Sequence, residues 1–434
     1  MKIRNILVLG LGCWLALGAC SSGNSHSGTD ADTSLINTDS GKLPQPGESK
    51  NKFSKVVGWP NGKTPVAPAG FSVSKFAGDL TNPRWIYVAP NGDIFVAQST
   101  TEGKKASDVV SGRAQSQNMN DSPNSILIFR DANHDGKPEI GNVFLSGLNQ
   151  PFGMLIIGDS FYVANTDGLW KYPYKEGQQQ ISGPGEKIVE LPAGGYNNHW
   201  TRNIIANADN SKIYISVGSG SNIGENGMEH EVRRANILEV NPDGSGERIY
   251  AAGLRNPVGM DWNPENKQLW TAVNERDELG DELVPDYITS VKEGSFYGWP
   301  YAYFGPNEDP RRKGEKPDLV KKTIAPDLPV GAHTASLGFV FYAADSFPAK
   351  YRNGAFIGQH GSWNRSEFAG YKVAFVPFKG GRPAGKPEDF LTGFIVKDGE
   401  REVYGRPVGV AVAKDGSLLV ADDAGNTIWR VSSK

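Results

Sequence analysis

From Gly70 to the C-terminus, apolar and polar residues alternate in short runs separated by turns rich in Gly, Pro, Asn and Asp. Alternation with a period of two is the pattern of half-buried strands, and no long run shows helical spacing. A short unit recurs: Ala77-Gly-Asp-Leu-Thr-Asn-Pro83, Ser146-Gly-Leu-Asn-Gln-Pro151, Ala252-Gly-Leu-Arg-Asn-Pro257 and a shortened Tyr404-Gly-Arg-Pro407. After each proline come a small apolar strand, a tight turn and a second strand, read as Ile94-Phe-Val-Ala, Phe161-Tyr-Val-Ala, Leu269-Trp-Thr-Ala and Leu418-Leu-Val-Ala. Two further units lack the proline, Asn203-Ile-Ile-Ala to Ile213-Tyr-Ile-Ser and Leu337-Gly-Phe-Val-Phe-Tyr to Ala355-Phe-Ile-Gly.

Third and fourth strands follow in most units. Radially repeated four-stranded units that cannot bury their faces alone predict an all-β, six-bladed β-propeller, with a β-sandwich pair as the alternative. Phe71-Ser-Val-Ser-Lys-Phe76 has no first strands before it, so it is expected to be the outer strand of the last blade, closing the ring with residues 406–434. In an up-and-down blade, the loop leading into the first strand and the loop after the second lie on one rim. The long polar loops Gly218-Ser-Gly-Ser-Asn-Ile-Gly224, Asn274 to Glu282 and Gln359-His-Gly-Ser-Trp-Asn-Arg365 all belong to that rim, which is the candidate functional face.

The N-terminus breaks the pattern. Met1-Lys-Ile-Arg, an apolar run from Ile6 to Gly18 and Leu17-Gly-Ala-Cys20 resemble a bacterial lipoprotein signal, against the alternatives of an ordinary cleaved signal or an anchor helix. Residues 1–19 are then a signal peptide, and Cys20 carries the lipid that holds the protein to a membrane. The expected location is the cell envelope, on the periplasmic side of the outer membrane if the host is Gram-negative. Residues 20–50 are polar and poor in aromatics, expected to form a flexible tether, and 51–434 form the propeller. Cys13 and Cys20 are the only cysteines, so the mature fold would have no disulfide. With 45 basic and 48 acidic residues, the charge balance gives no reason to expect nucleic acid.

Three of the six histidines fall on the candidate face, His199, His333 and His360, whereas His26 lies in the tether, His134 on the opposite rim and His230 in a charged stretch. The same face receives Gln150, Arg202, Arg255, Asn256, Arg276, Asp277, Arg365 and Arg406. Several arginines aimed at one mouth suit an anionic ligand; the alternative is rim salt bridges with Glu275, Asp277, Asp281 and Glu282.

Leu-Arg-Asn-Pro-x-Gly at 254–259, Asn274-Glu-Arg-Asp-Glu-Leu-Gly-Asp-Glu282, His199-Trp-Thr-Arg-Asn203 and Gly361-Ser-Trp-Asn-Arg365 together resemble the soluble-type pyrroloquinoline quinone (PQQ) sugar dehydrogenases, especially the sorbosone-dehydrogenase-like branch. The resemblance spans roughly residues 65–434. It implies PQQ, a flat quinone with three carboxylates, lying across the mouth with Ca²⁺, and a small sugar as substrate. It implies His199 as general base, with Gln150, Arg255, Asn256, Arg406 and Asp422 holding the cofactor and Arg276 and Asp277 supplying calcium oxygens. Arg365 or His360 would stand where related enzymes often have a lysine, and Arg202 and His333 complete the expected cofactor set. The electron acceptor is not named by these motifs.

Asp131-Ala-Asn133-His-Asp135-Gly136, with Glu139, spaces oxygens as a calcium loop does and equally as an Asx-rich turn does. Gly218-Ser-Gly220 is not a nucleotide fingerprint, because its third glycine is misplaced and no helix pattern follows. Trp270 and Trp429 fall within strand patterns and are expected in the core. A metal-dependent lactone hydrolase built on the three histidines, and a non-catalytic binding propeller, are the competing functions.

Overall fold

The computed structural model describes residues 43–103, 105–117, 119–133 and 135–434. The expected signal peptide, Cys20, His26 and the tether up to residue 42 lie outside the described residues, as does His134. No helix of the described residues is long and apolar enough to cross a membrane.

Six four-stranded antiparallel sheets form the blades of a propeller. Blade 1 runs Pro83–Val88, Ile94–Gln98, Ser125–Arg130 and Ile140–Ser146. Blade 2 is Met154–Ile157, Ser160–Asn165, Gly168–Pro173 and Glu186–Glu190. Blade 3 is Arg202–Ala206, Ile213–Val217, Asn236–Val240 and Arg248–Ala252. Pro257–Trp262, Leu269–Val273, Pro285–Ser290 and Leu328–Ala332 make blade 4. Ser336–Phe341, Ala355–Gln359, Lys372–Val376 and Glu388–Leu391 make blade 5. Blade 6 takes Pro407–Val412, Leu418–Asp422 and Thr427–Ser433 from the C-terminus, and its outer strand is Phe71–Ala77, paired antiparallel from Phe71↔Ser433 to Ala77↔Ile428. The chain ends are thereby zipped into one sheet, as the unpaired first strand required.

The repeated proline starts the first strand of blades 1, 4 and 6 and stands just before that of blade 2, and in blades 2, 4 and 6 the glycine two residues later lets neighbouring blades meet. A Cβ on Gly259 would sit 2.5 Å from the Phe339 amide nitrogen; one on Gly153, 2.6 Å from that of Ile204; one on Gly409, 2.7 Å from the Arg84 carbonyl. These are contacts between first strands of adjacent blades, where only a residue without a side chain fits. Blade 3, which lacks the proline, joins blade 4 differently, through Asn203 Nδ2 donating to the Val258 carbonyl at 2.9 Å. Further out, aromatic residues fill the wedges between blades, such as Phe95, Phe144 and Phe161 between blades 1 and 2, and Trp270, Phe341 and Phe378 between blades 4 and 5. Each such buried side chain contributes about 1.5–3 kcal/mol.

Two insertions escaped the strand pattern. The loop after the second strand of blade 1 carries the short helices Ala106–Val110 and Arg113–Ser116. Between the third and fourth strands of blade 4 lies Pro317–Lys322, with Pro317 in its first turn, Asp318 near its N-terminus and Lys321 and Lys322 in its last turn. Helices this short have no periodicity to read, although the proline and the charge order are those a helix favours.

The tether reading does not extend through residues 43–50. Gly47 N–H donates to the Leu279 carbonyl at 2.9 Å, and Ser49 Oγ accepts the Gly280 N–H at 2.8 Å. Onward, Lys52 N–H reaches the Trp363 carbonyl, Ser54 meets Ser116, Lys55–Val56 pairs in parallel with Glu402–Val403, and Trp59 Nε1 donates to Asp422 at 2.6 Å. A polar segment of low hydrophobicity is held here by backbone groups rather than by a core of its own, which composition does not reveal. The segment follows the candidate face along loops of blades 4, 5, 1 and 6.

Because the Gly259 contact is with backbone, Gly259→Ala is expected to destabilise the fold by about 1–3 kcal/mol through overpacking. Gly183→Ala, where no atom lies within 4 Å of the added carbon, is the control and should leave the midpoint of chemical denaturation unchanged.

Candidate functional site

Strand pairing brings the start of each first strand beside the end of the second, as in Pro83↔Gln98, Pro257↔Val273 and Pro407↔Asp422. Residues just before the prolines and just after the second strands therefore converge on one axial mouth. A cavity of ≈ 130 Å³ opens there, and His199, Asn256, Asp277, His360 and Arg406 line it together with Arg84, Arg113, Trp200, Asn274 and Trp363.

His199 is buried, with Nδ1 2.8 Å from the Ser219 carbonyl oxygen and 2.9 Å from Ser219 Oγ. A carbonyl oxygen can only accept, so Nδ1 carries the proton and Nε2 presents a lone pair. The Ser219 loop is itself held, since Glu231 accepts from Gly220 N–H and from the N–H and hydroxyl of Ser221. Burial, reinforced by the nearby Arg255 charge, pushes the His199 pKa well below the usual imidazole value. The ring is neutral at pH 7.

His333 differs. Its Nδ1 lies 3.2 Å from Asp277 Oδ1 and its Nε2 2.8 Å from the Gly280 carbonyl, so both nitrogens face acceptors and both must carry protons. Burial lowers its pKa, but the hydrogen bond and charge of Asp277 outweigh it and the net shift is upward. Asp277 also receives Arg255 Nη2 at 3.3 Å. Withdrawal from solvent pushes this carboxyl up, yet His333 and Arg255 hold it below the ordinary range. His333 is thus a cationic support behind Asp277, has no lone pair for a metal, and does not line the cavity.

A second cluster sits across the mouth. Arg84 Nη1 donates to Asp423 Oδ2 at 2.5 Å, and His360 Nε2 lies 2.9 Å from Asp423 Oδ1. Asp423 is fully buried, and burial would raise its pKa; His360, Arg84 and Arg406 reverse this and hold it well below the ordinary value. Burial and the Arg406 charge lower His360 to about 4. The carboxylate is already neutralised by arginines, so His360 faces it as a neutral ring. Arg406 donates Nε and Nη2 to the carbonyls of His360 and Gly361, and its Nη1 is buried without a partner.

Other expected site residues are placed elsewhere. Arg202 donates to the carbonyls of His199, Thr201 and Pro192, fixing the loop around His199 rather than lining the cavity. Arg255 is spent on Asn222, Glu275 and Asp277. Arg276 turns to Asp309 at 3.0 Å, so only its backbone could serve an ion. Arg365 pairs with the Asp281 carbonyl and Glu282, as the rim-bridge alternative described. Asp422 accepts from Trp59, Trp429 and the backbone of Arg406 and Gly425, and it is Asp423 that reaches the site. Gln150 lines an adjoining groove and donates to the Thr100 carbonyl. Asp131, Asp135 and Glu139 place oxygens within 4.8 Å of one another on the opposite rim, while Asp131 and Asn133 also accept backbone N–H groups as an Asx turn does.

Arg84, Arg113 and Asp423 were not singled out from sequence, and Asn274 and Trp363 were named only as members of their rim loops. Arg84 had a signal, since it follows Asn82-Pro83 at the position after the repeated proline. Arg113 had none, being carried by an insertion.

A family model described as TrAA12-like matches residues 65–295 and 308–434. The chain belongs to the TrAA12-like family. A similar sequence is an uncharacterized protein of Borreliella burgdorferi, 32% identical over 296 residues that cover 65% of this chain and 76% of that protein. The holo form of the pyranose dehydrogenase PQQ domain from Coprinopsis cinerea superposes with a TM-score of 0.68 at 19% identity, covering 90% of this chain and 98% of that one. The calcium structure of the Trichoderma reesei carbohydrate-active enzyme of family AA12 gives 0.68 at 18%, covering 85% and 97%. At these identities the likeness is one of fold. The TrAA12-like match omits residues 296–307, which lie in the insertion of blade 4.

Three buried polar atoms of residues that line the cavity, Arg84 Nε, Arg406 Nη1 and Asn256 Oδ1, have no hydrogen-bond partner. The unpartnered Arg406 Nη1 is a buried donor suited to a carboxylate, and Asn256 Oδ1 is a buried acceptor without a partner on a residue that lines the same cavity as Asp277.

Asp423→Asn leaves Arg84 without its counter-charge and should cost about 3–5 kcal/mol of stability at pH 7. Because the folded-state pKa of Asp423 is depressed, its contribution is present above the unfolded value of about 3.9 and is lost as pH falls through the folded value. The gap between wild type and variant in denaturation midpoint is therefore expected to narrow below about pH 3.9.

Proposed function

We propose that the protein is a PQQ- and calcium-dependent dehydrogenase that oxidises an aldose or a related sugar of the L-sorbosone type. The observation that carries this reading is the convergence on one cavity of a neutral imidazole whose Nε2 lone pair meets only the Asn198 amide at 3.4 Å, a fixed carboxylate, and guanidinium groups two of whose donors, Arg84 Nε and Arg406 Nη1, are buried without partners. The neighbours in fold that hold PQQ or calcium support it.

When bound, PQQ supplies a quinone able to accept a hydride equivalent, and calcium supplies a Lewis-acid charge. Arg406 and Arg84 would hold carboxylates of the cofactor, and Asp277 with Asn256 would hold the ion. Asp277 keeps lone pairs for this beyond its bonds to His333 and Arg255. Trp200 and Trp363 wall the cavity with apolar surface. His199 Nε2 takes the proton of the reacting sugar hydroxyl, oriented by Ser219 and held neutral by burial. Glu231 positions that serine loop. The lactone hydrolase reading loses its basis here, because His333 has no free lone pair and stands outside the cavity. His360 is a second candidate base, because Asp423 holds its Nε2 and leaves Nδ1 as the lone-pair nitrogen.

Titrating the protein with PQQ is expected to give saturable binding that weakens on chelation of calcium, and the loaded protein should reduce an artificial dye with an aldose. His199→Ala is expected to bind PQQ normally and lose about 10²- to 10⁴-fold in kcat; that loss at His360→Ala alone would move the base role to His360. Since the His199 pKa lies below about 6.5, the base stays unprotonated there, and the acid limb of kcat/KM is expected below pH 6.5.

On the lipoprotein-like Leu17-Gly-Ala-Cys20 we further propose that the enzyme sits at the cell envelope, with lipid on Cys20. Labelled palmitate should enter the wild-type protein in cells and not Cys20→Ser.

A further inference from the structure

A second and larger depression, ≈ 550 Å³, adjoins the cavity on the same face. The two share Thr101, Arg113, Asn198 and Trp200, so they form one continuous trough. The segment Tyr196-Asn197-Asn198 runs along its floor directly into His199. The trough lets a molecule with one end at His199 lay its remainder over these three residues.

The chemistry of the floor is that of a neutral, hydroxyl-rich chain. Asn149, Gln150, Asn197 and Asn198 bring amides; Asn197 is bonded on both sides to Thr166, Arg202 and Arg234, and the Gln150 and Asn198 nitrogens face the Thr100 carbonyl and His199, which leaves Asn149 and the side-chain oxygens of Gln150 and Asn198 to meet neighbouring hydroxyls. Tyr196 is a large aromatic side chain left 52% exposed, a flat face for the C–H side of a sugar ring. The charged residues on the wall do not select an anion. Asp108 is already bonded by the Lys105 N–H at 2.9 Å and lies 3.7 Å from Arg113, and Glu102 and Lys105 offset one another. The wall itself comes from the insertion in blade 1 that bears the two short helices, an addition to the propeller rather than a part of its repeat.

We infer that the trough binds an oligosaccharide, with its terminal residue at His199 and its following residues on Tyr196 and Asn149. The terminal position rests on the dehydrogenase reading above; the rest of the trough does not.

The test uses the full chain loaded with PQQ and Ca²⁺. Dye-coupled kcat/KM is measured for glucose and for the α-1,4- and β-1,4-linked gluco-oligosaccharides from di- to tetrasaccharide. The expected result is a rise of about tenfold between glucose and the trisaccharide in one series, carried by KM. Tyr196→Ala and Asn149→Ala are each expected to remove most of that rise while leaving kcat/KM for glucose within about twofold. A flat profile in both series, or an equal loss on glucose, overturns the inference. Calorimetric binding of the matching trisaccharide alditols, which lack the hemiacetal hydroxyl of the reducing end, measured in the protein without PQQ, separates the two readings. Binding lost in Tyr196→Ala without any sugar oxidation would retain the trough and reject the dehydrogenase; absence of binding together with normal glucose oxidation would do the reverse.

Discussion

The close approach of backbone to backbone around the axis is the constraint on which this structure depends. First strands of adjacent blades touch at Gly153, Gly259 and Gly409, where a single added carbon would fall within 2.5 to 2.7 Å of a neighbouring backbone atom. That tightness sets the radius of the ring and hence the width of its mouth. A wider ring would separate His199 on blade 3 from His360 on blade 5. The Asn203 bridge to Val258 achieves the same contact by a hydrogen bond where the proline–glycine pattern is missing.

Around that mouth the electrostatics are arranged in two opposed halves. On one side Asp277 is flanked by Arg255 and the cationic His333, while on the other Asp423 is flanked by Arg84 and Arg406. Each carboxylate is kept ionised in a poorly solvated place by neighbouring cations. His199 and His360, by contrast, are kept neutral by burial and by nearby arginines. Three histidines on one rim thus take two protonation states, decided by whether their nitrogens meet one acceptor or two.

The fold was readily legible because it repeats. Six returns of an apolar strand, tight turn and second strand, and one unpaired strand at Phe71, suffice to predict a closed ring of six blades. The face was legible for a related reason, since strand direction alone puts Arg255 and Asn274 to Glu282 on one rim. Individual site residues were less so. Asp422 and Asp423 are adjacent in sequence, but only Asp423 meets Arg84 and His360, because neighbours at the end of a strand point to opposite sides. Arg202 and Arg255 lie on the expected face yet spend their guanidinium groups on carbonyls and on Asp277. Residue type and position cannot distinguish a side chain that lines a cavity from one that props its wall.

By itself, then, the sequence determined the strand period, the number of blades, their closure and the rim on which function gathers, because these follow from local patterning and chain direction. Only the tertiary structure decided which nitrogen of His199 and of His360 carries the lone pair, which arginines bring an unpartnered donor to the cavity, and that residues 43–50 bind along the rim. Those outcomes depend on partners as distant as Trp59 from Asp422 and Arg84 from Asp423, and no pattern along the chain records what lies across space from it.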